Sequence, residues 1–204
     1  MKVLFLGNAQ YPLLDFVRQT DEAVGIGYEL TSEVDIHGID FIVSYGYRYK
    51  IPKWVIESLP GRVINLHISY LPYNRGADPN FWSFIDDIPK GVTIHQVSVG
   101  IDEGDILVQE IVNVSEYDTF RFTYTQLHMA IQSLFKANWH KIKNGKITPV
   151  KQIGSYHCSA DKDKYIRGIE DKWMDLVICE VLDCVAEIQM SEQFIQKECT
   201  ESET

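Results

Sequence analysis

A short apolar run in the first quarter of the chain limits the fold more than any other feature. Phe41, Ile42 and Val43 are consecutive, Ser44 follows them, and Gly46 bounds the run. A strand without polar alternation is buried on both faces, which requires helices on both sides of its sheet. The run therefore indicates an α/β protein.

Strand-like and helix-like segments alternate around this run. Residues 3–6 resemble a first strand that ends in a turn at Gly7, and residues 11–18 have helical spacing. Residues 52–59 fit a short helix with a proline near its start, and residues 62–66 fit a further strand. The alternation predicts an open, mostly parallel, twisted sheet flanked by helices, with the functional site at the carboxyl ends of the strands.

The second half of the chain begins with two strand-like segments, 93–97 and 106–114, which a turn-rich stretch joins. A long helix is predicted next, capped within 115–119 and ended by Asn144-Gly145. The apolar and aromatic residues between 120 and 139 recur at three- and four-residue spacing, and we interpret this stripe as core packing. Residues 176–188 have the pattern of a second amphipathic helix. Its apolar face is compatible with a homodimer interface. We expect a core at residues 1–150 and, at residues 151–204, a helical extension of the same domain.

Composition excludes several classes of protein. The 204 residues are 45% hydrophobic and 24% charged, and the net charge of −10 disfavours binding to nucleic acid. The apolar runs are too short to span a bilayer, and the first residues lack a cleavage-site pattern. The four cysteines show no CxxC spacing and are expected to be free thiols, so we expect a cytoplasmic protein.

Polar residues are concentrated at the end of the strand predicted over 62–66. Asn65 and His67 are two residues apart, so they face the same side of an extended chain. A histidine exchanges protons near neutral pH, and an asparagine amide donates to a developing oxyanion. Taken alone, the pair also fits a hydrogen-bonded core histidine and a turn-capping asparagine.

The turn-rich stretch supplies acids. Asp102 and Asp105 lie on a loop bounded by glycines, and a carboxylate beside His67 would orient its imidazole and favour its charged form. Either acid also fits an ordinary turn residue. The histidines show no spacing typical of a metal site, so no metal is expected, and His95 is interpreted as structural or as support for the site.

Together these segments resemble the folate-dependent formyltransferases. The resemblance rests on Asn-x-His-x-Ser-x-Leu-Pro from Asn65, on Arg75-Gly76, on Gly-Val-Thr-x-His from Gly91, and on Asp-x-Gly-Asp-Ile from Asp102. It implies a Rossmann-like formyltransferase core and a formyl group donated by N10-formyltetrahydrofolate. It also implies a catalytic trio of Asn65, His67 and Asp102, since Asp102 matches the first acid of the family motif.

The resemblance further implies a mechanism and a folate site. Asn65 and protonated His67 would stabilise the oxyanion, and His67 would then manage proton transfer while Asp102 holds it. The implied folate-binding residues lie in two loops and a neighbouring turn: Tyr49, Lys50, Ile51, Ser98, Val99, Gly100, Ile101 and Asp105. The interpretation of 49–51 as a plain strand-to-helix connection stays open.

Within the family, the chain resembles the sugar N-formyltransferases, which formylate a nucleotide-linked amino-deoxysugar for surface glycans. The resemblance rests on Ser-Tyr-Gly-Tyr-Arg from Ser44 and on the stretch 65–83. Asn8, Asn74 and Arg75 are then the implied substrate contacts, and Arg75 would pair with a phosphate oxygen. Arg75 equally fits a structural bond to a turn carbonyl.

The N-terminal half is abbreviated relative to the family. About 35 residues separate Gly7-Asn8 from Phe41, so the acceptor is expected to differ from the common dTDP-sugars. Alternative acceptors are a carrier-bound aminoacyl group, glycinamide ribonucleotide and methionyl-tRNA. A formyl-folate hydrolase and a non-catalytic folate-binding protein are further alternatives.

Overall fold

The structure is a computed structural model that describes residues 1–7 and 12–201, with side chains described for residues 1–7 and 12–190. The strands are β1 (Lys2–Gly7), β2 (Glu22–Ile26), β3 (Phe41–Tyr45), β4 (Val63–His67), β5 (Arg75–Gly76), β6 (Gly91–Gln96), β7 (Ile106–Ile111) and β8 (Tyr156–His157). The helices are α1 (Pro12–Arg18), α2 (Lys53–Ser58), α3 (Pro79–Ile85), α4 (Phe120–Lys143), α5 (Ser159–Asp163) and α6 (Ile178–Glu201). Single 3-10 turns occur at Glu33–Ile36 and Trp173–Asp175.

The main sheet has the strand order β2-β1-β3-β4-β6-β7. The neighbouring strands β2, β1, β3 and β4 run parallel. Strand β6 pairs antiparallel with β4, and β7 pairs antiparallel with β6. The predicted open, mostly parallel α/β sheet is therefore confirmed. The short strands β5 and β8 form a separate parallel pair.

Both faces of the sheet are covered, as the apolar run of β3 predicts. Val3 and Phe5 of β1 point to one face and pack with α1 and α4, whereas Leu4 and Leu6 point to the other and pack with α2. Every residue of β3 is buried. The central strands are consequently fixed from both sides, and the site at their ends stands on a rigid base.

The long helix α4 starts as the sequence predicts. Thr119 is its N-cap, and its side chain accepts a hydrogen bond from the backbone N–H of Phe122. Apolar side chains at three- and four-residue spacing, such as Leu127, Ile131 and Phe135, are buried against the sheet. The stripe is therefore core packing, as predicted.

The strand β2 is absent from the sequence-based prediction. It lies at the edge of the sheet, pairs with β1, and has a half-exposed pattern that includes Gly25. A strand of five residues that contains a glycine and has no fully buried residue gives a weak signal in the sequence. The five residues of this strand lie between α1 and the 3-10 turn at Glu33–Ile36.

The C-terminal segment packs against the core. Ile178, Val181 and Val185 of α6 are buried in a cluster with Phe81 of α3 and Phe120 at the start of α4. The apolar residues predicted to favour a homodimer are thus largely used inside the chain, and a homodimer stays a prediction. No helix in the described part of the chain is both long and apolar enough for a membrane span.

Candidate active site

A cavity of about 330 Å³ opens beside the carboxyl ends of β3 and β4. Asn65 and His67 of β4, His95 of β6 and Asp102 in the turn after β6 line it. Helix α4 closes one side through Tyr124 and His128. The cavity therefore lies at the edge of the sheet where the alternation of strands and helices predicts a site.

The strand β4 presents Asn65 and His67 to the same side, as their spacing requires. The side chain of His67 is only 10% exposed, and its Nε2 lies 3.5 Å from the carbonyl oxygen of Asn74. The amide Nδ2 of Asn65 donates to Oδ1 of Asp102 across 3.2 Å. The structure thus brings the predicted amide, imidazole and carboxylate together at one wall.

Asp102 sits at the tip of this turn in a left-handed backbone conformation, with φ 51°. Its Oδ2 accepts a hydrogen bond from the backbone N–H of Gly76 at 3.0 Å and lies 3.8 Å from Nε2 of His67. Gly76 has φ 94°, and a Cβ there would lie 2.4 Å from the carbonyl oxygen of His157. A glycine is therefore required where the chain passes the carboxylate.

His95 completes the polar cluster. Antiparallel pairing of β4 with β6 places His95 opposite Asn65. Its Nδ1 donates to the carbonyl of Gln96 at 2.7 Å, which leaves Nε2 to face the other polar groups of the site. That nitrogen lies 3.3 Å from Nδ2 of Asn65 and 3.3 Å from Oδ1 of Asp102. His95 therefore lies against both the amide and the carboxylate, which agrees with a structural or supporting role.

Burial and nearby charges together set the pKa values of Asp102 and His67. Burial raises the pKa of Asp102, but His67, His95 and the N–H of Gly76 together outweigh it and hold that pKa well below its usual range. Burial lowers the pKa of His67 and outweighs the attraction of Asp102, which acts in the opposite direction. Desolvation therefore favours the neutral imidazole, and a protonated His67 in the reaction stays a prediction.

Most of the predicted folate-binding residues line the same cavity. Tyr49, Lys50 and Ile51 form one side, and the stretch 98–101 forms the opposite side. Tyr49, Val99 and Ile101 keep 44%, 49% and 49% of their surface exposed, so apolar groups flank the cavity. Asp105 is not among the lining residues, and its backbone carbonyl instead accepts from the N–H of Gln96 within the turn.

The implied substrate contacts are not gathered in the cavity. Arg75 directs Nη2 to the carbonyl of Gly154 at 2.6 Å and Nη1 to Glu103 at 3.2 Å, which is the structural alternative that the sequence left open. Asn74 is buried behind His67, and its side-chain amide has no hydrogen-bond partner in the described part of the chain. Asn8 lies outside the described residues.

The α4 side of the cavity is built from residues that sequence reasoning missed. Nδ1 of His128 hydrogen-bonds the hydroxyl of Tyr45, and Gln132 donates to that hydroxyl at 3.3 Å. The ring of Tyr124 lies 4.3 Å from that of His128. Helical spacing of 124, 128 and 132 was the available signal, but the same spacing is ordinary in any helix.

The fold and this cluster define an α/β protein with a polar acid–base site at the carboxyl edge of its sheet. The chain belongs to the formyl transferase family, whose model matches residues 18–137. The family predicted from the motifs at Asn65 and Asp102 is thereby confirmed.

A solved structure is similar to this chain over almost its whole length. The chain is similar to the formyltransferase PseJ from Anoxybacillus kamchatkensis, with 44% identity, a TM-score of 0.83, and 89% of this chain and 97% of that chain covered. The crystal structure of PseJ is a complex with UDP-4,6-dideoxy-4-formamido-L-AltNAc and tetrahydrofolate. The likeness supports the predicted sugar N-formyltransferase branch.

Two curated relatives match over a shorter stretch. A methionyl-tRNA formyltransferase from Clostridium novyi is 36% identical over 122 residues, which is 59% of this chain and 40% of the relative. A dTDP-4-amino-4,6-dideoxyglucose formyltransferase from Mycobacterium tuberculosis is 29% identical over 124 residues, which is 61% of this chain and 52% of the relative. The chain thus spans about half the length of these curated relatives or less.

Proposed function

We propose that the protein transfers a formyl group from N10-formyltetrahydrofolate to the 4-amine of a UDP-linked 4-amino-4,6-dideoxy-L-AltNAc. The observation that carries the proposal is the 44% identity to PseJ over 97% of that chain, because the PseJ complex holds the formylated sugar and tetrahydrofolate. A UDP-sugar also agrees with the expectation of an acceptor other than the common dTDP-sugars. A role in surface glycans and a cytoplasmic location belong to this proposal.

The cavity suits a folate. A folate carries a flat aromatic ring with a polar edge. The exposed apolar surfaces of Tyr49, Val99 and Ile101 flank the opening, and the backbone of 49–51 offers polar groups. These residues would hold the ring, and the donor would supply the formyl group.

In the proposed reaction the amine nitrogen bonds to the formyl carbon, the bond from that carbon to N10 breaks, and the amine proton passes to N10. Negative charge develops on the formyl oxygen. Asn65 would donate an amide N–H to it, since its Nδ2 already lies at the cavity wall beside Asp102. Catalysis of this kind needs no group beyond fixed donors and a proton carrier.

His67 is the proposed proton carrier. Because burial lowers the pKa of His67, the resting imidazole is neutral and can accept the amine proton. Asp102, with its own pKa held low, stays ionised and stabilises the imidazolium that forms. His67 then returns the proton to N10, so the site ends in its starting state.

The test is a single-turnover assay with N10-formyltetrahydrofolate and the UDP-linked 4-amino sugar. We expect tetrahydrofolate and a sugar product that is heavier by one formyl group, in equal amounts. The acceptor controls are dTDP-4-amino-4,6-dideoxyglucose and no acceptor, and the protein control is His67→Asn.

Each other outcome contradicts the proposal in a distinct way. Preferential formylation of the dTDP-sugar would make the acceptor wrong. Tetrahydrofolate release without a formylated sugar would indicate a hydrolase. Folate binding without turnover on any amine would indicate a non-catalytic folate-binding protein.

A further inference from the structure

The segment after α4 returns to the active site as a strap, defined here as residues 150–157. It lies beyond the stretch 18–137 that the family model matches. The strap is fastened at its start, where Val150 and Ile106 exchange two backbone hydrogen bonds of 2.8 Å. At its other end, Tyr156 and His157 pair with β5.

Within the strap, Gln152 binds the backbone of the turn that carries Asp102. Its Nε2 donates to the carbonyl of Asp102 at 3.1 Å and to the carbonyl of Gly104 at 2.6 Å. Only the NH₂ end of the amide can satisfy two carbonyl oxygens, so the orientation of the side chain is fixed. Gln152 therefore ties together both ends of the segment in which Asp102 has its left-handed φ of 51°.

The strap also contacts residues 72–74, which lie next to His67. Oγ of Ser155 accepts from the N–H of Asn74 at 2.9 Å, and the carbonyl of Asn74 faces His67. The backbone at Gly154 packs directly against that of Pro72, and a Cβ at Gly154 would lie 1.8 Å from the carbonyl oxygen of Pro72. Asp102 and the backbone beside His67 are thus fixed by one stretch of chain.

We propose that Gln152 is a positioning residue that holds Asp102 against His67 for formyl transfer. The inference rests on the proposed function. Within the described part of the chain, no residue of the strap lines the cavity. Gln152 therefore acts through Asp102 and has no direct contact with the folate or with the sugar.

The decisive variant is Gln152→Met, which keeps the length of the side chain and removes its two hydrogen bonds. A small displacement of a catalytic group costs on the order of 10- to 100-fold in rate, so we expect kcat to fall by roughly that factor. The KM for N10-formyltetrahydrofolate should stay within about twofold, since no strap residue lines the cavity. The matched control is Ile153→Ala, because Ile153 is the adjacent strap residue and is 93% exposed.

A second readout does not depend on turnover. The titratable groups that face His67 are Asp102 from the turn and His95 from β6. Asp102 raises the pKa of His67, so a loosened Asp102 should lower that pKa further. The imidazole is titrated by NMR in wild type, Gln152→Met and Ile153→Ala, and its signal is assigned with His67→Gln.

The results distinguish the positioning role of Gln152 from the proposed formyl transfer. Unchanged kcat and unchanged His67 titration in Gln152→Met would overturn the positioning role. So would a parallel fall of kcat, folate affinity and thermal midpoint, because that pattern describes a general loss of structure. If the wild type formylates no sugar, the proposed function fails, and the NMR titration still decides whether Gln152 sets the environment of His67.

Discussion

The carboxylate of Asp102 joins parts of the chain that are distant in sequence. It contacts Asn65 and His67 from β4, the backbone of Gly76, and His95 from β6. A buried carboxylate is stable only where donors surround it, and each of these partners supplies one or is able to do so. The site is therefore a network in which the loss of one member alters the others.

Removal of the imidazole tests the proposed proton carrier. We expect His67→Ala to lower kcat by about a hundredfold or more, since general acid–base catalysis contributes on that scale. The affinity for tetrahydrofolate should stay close to that of wild type, because the predicted folate contacts lie in other loops. The measurements are steady-state kinetics and calorimetric titration with tetrahydrofolate. Near-normal turnover would remove His67 from the mechanism.

The pH profile tests the balance between burial and charge. His67 must be neutral to accept a proton, so kcat/KM should fall as the pH drops through its pKa, which lies below the ordinary 6.5. Asp102→Asn removes the attraction that raises this pKa. Its acid limb should therefore move to lower pH while its maximum falls.

The profile is measured from pH 4.5 to 9 in wild type, Asp102→Asn and the control Glu110→Gln, whose side chain is on an exposed strand position. A limb that moves to higher pH in Asp102→Asn would contradict the assignment. So would an acid limb that stays in the same place in Asp102→Asn as in wild type.

At the scale of elements, α4 is tied to the start of β2 by a buried carboxylate. Asp21 is 4% exposed and accepts hydrogen bonds from Nε1 of Trp139 at 3.1 Å and Nζ of Lys143 at 2.7 Å. Burial raises its pKa, but Lys143, Thr20 and Trp139 outweigh that effect and lower it from 3.8 to about 2. The contact therefore stabilises the edge of the sheet against the long helix.

Asp21→Asn should lower the free energy of unfolding by about 1–2 kcal/mol at pH 7. The folded pKa is below the unfolded one, so this stabilisation is fully present above pH 3.8 and is lost as the pH falls towards 2. Urea unfolding of wild type and variant at pH 7 and pH 2.5 measures it. The control is Glu22→Gln at a neighbouring side chain that is 70% exposed. A difference between wild type and Asp21→Asn that is as large at pH 2.5 as at pH 7 would contradict the charge-based explanation.

For the molecule as a whole, the net charge argues against a nucleic-acid acceptor. The net charge is −10, and a matched relative is a methionyl-tRNA formyltransferase. An acidic surface lacks the cation contacts that hold a phosphate backbone. The shared core therefore does not imply a shared acceptor.

We expect no saturable binding of initiator tRNA at micromolar protein and physiological salt, and no formylation of methionyl-tRNA. Filter binding and an acceptor assay measure these quantities, with a methionyl-tRNA formyltransferase as the positive control. Saturable binding that weakens steeply with added salt would overturn the prediction.

The fold class and the family could be predicted from the sequence. The apolar run at Phe41 required a covered sheet, the spacing of α4 predicted its buried stripe, and Asn65 with His67 had to share one side of a strand. These features are readable because each depends on local periodicity. The motifs at Asn65 and Asp102 identified the family because their order along the chain is specific.

Which of these residues lie together depends on contacts that form when the chain folds. His95 faces Asn65 because an antiparallel strand pairs with β4, and Gln152 reaches Asp102 because the strap returns to the turn. Arg75 points to backbone carbonyls, and burial lowers the pKa of His67 against the attraction of Asp102. Register, burial and long-range hydrogen bonds arise from contacts between distant segments, and no local pattern in the sequence encodes them.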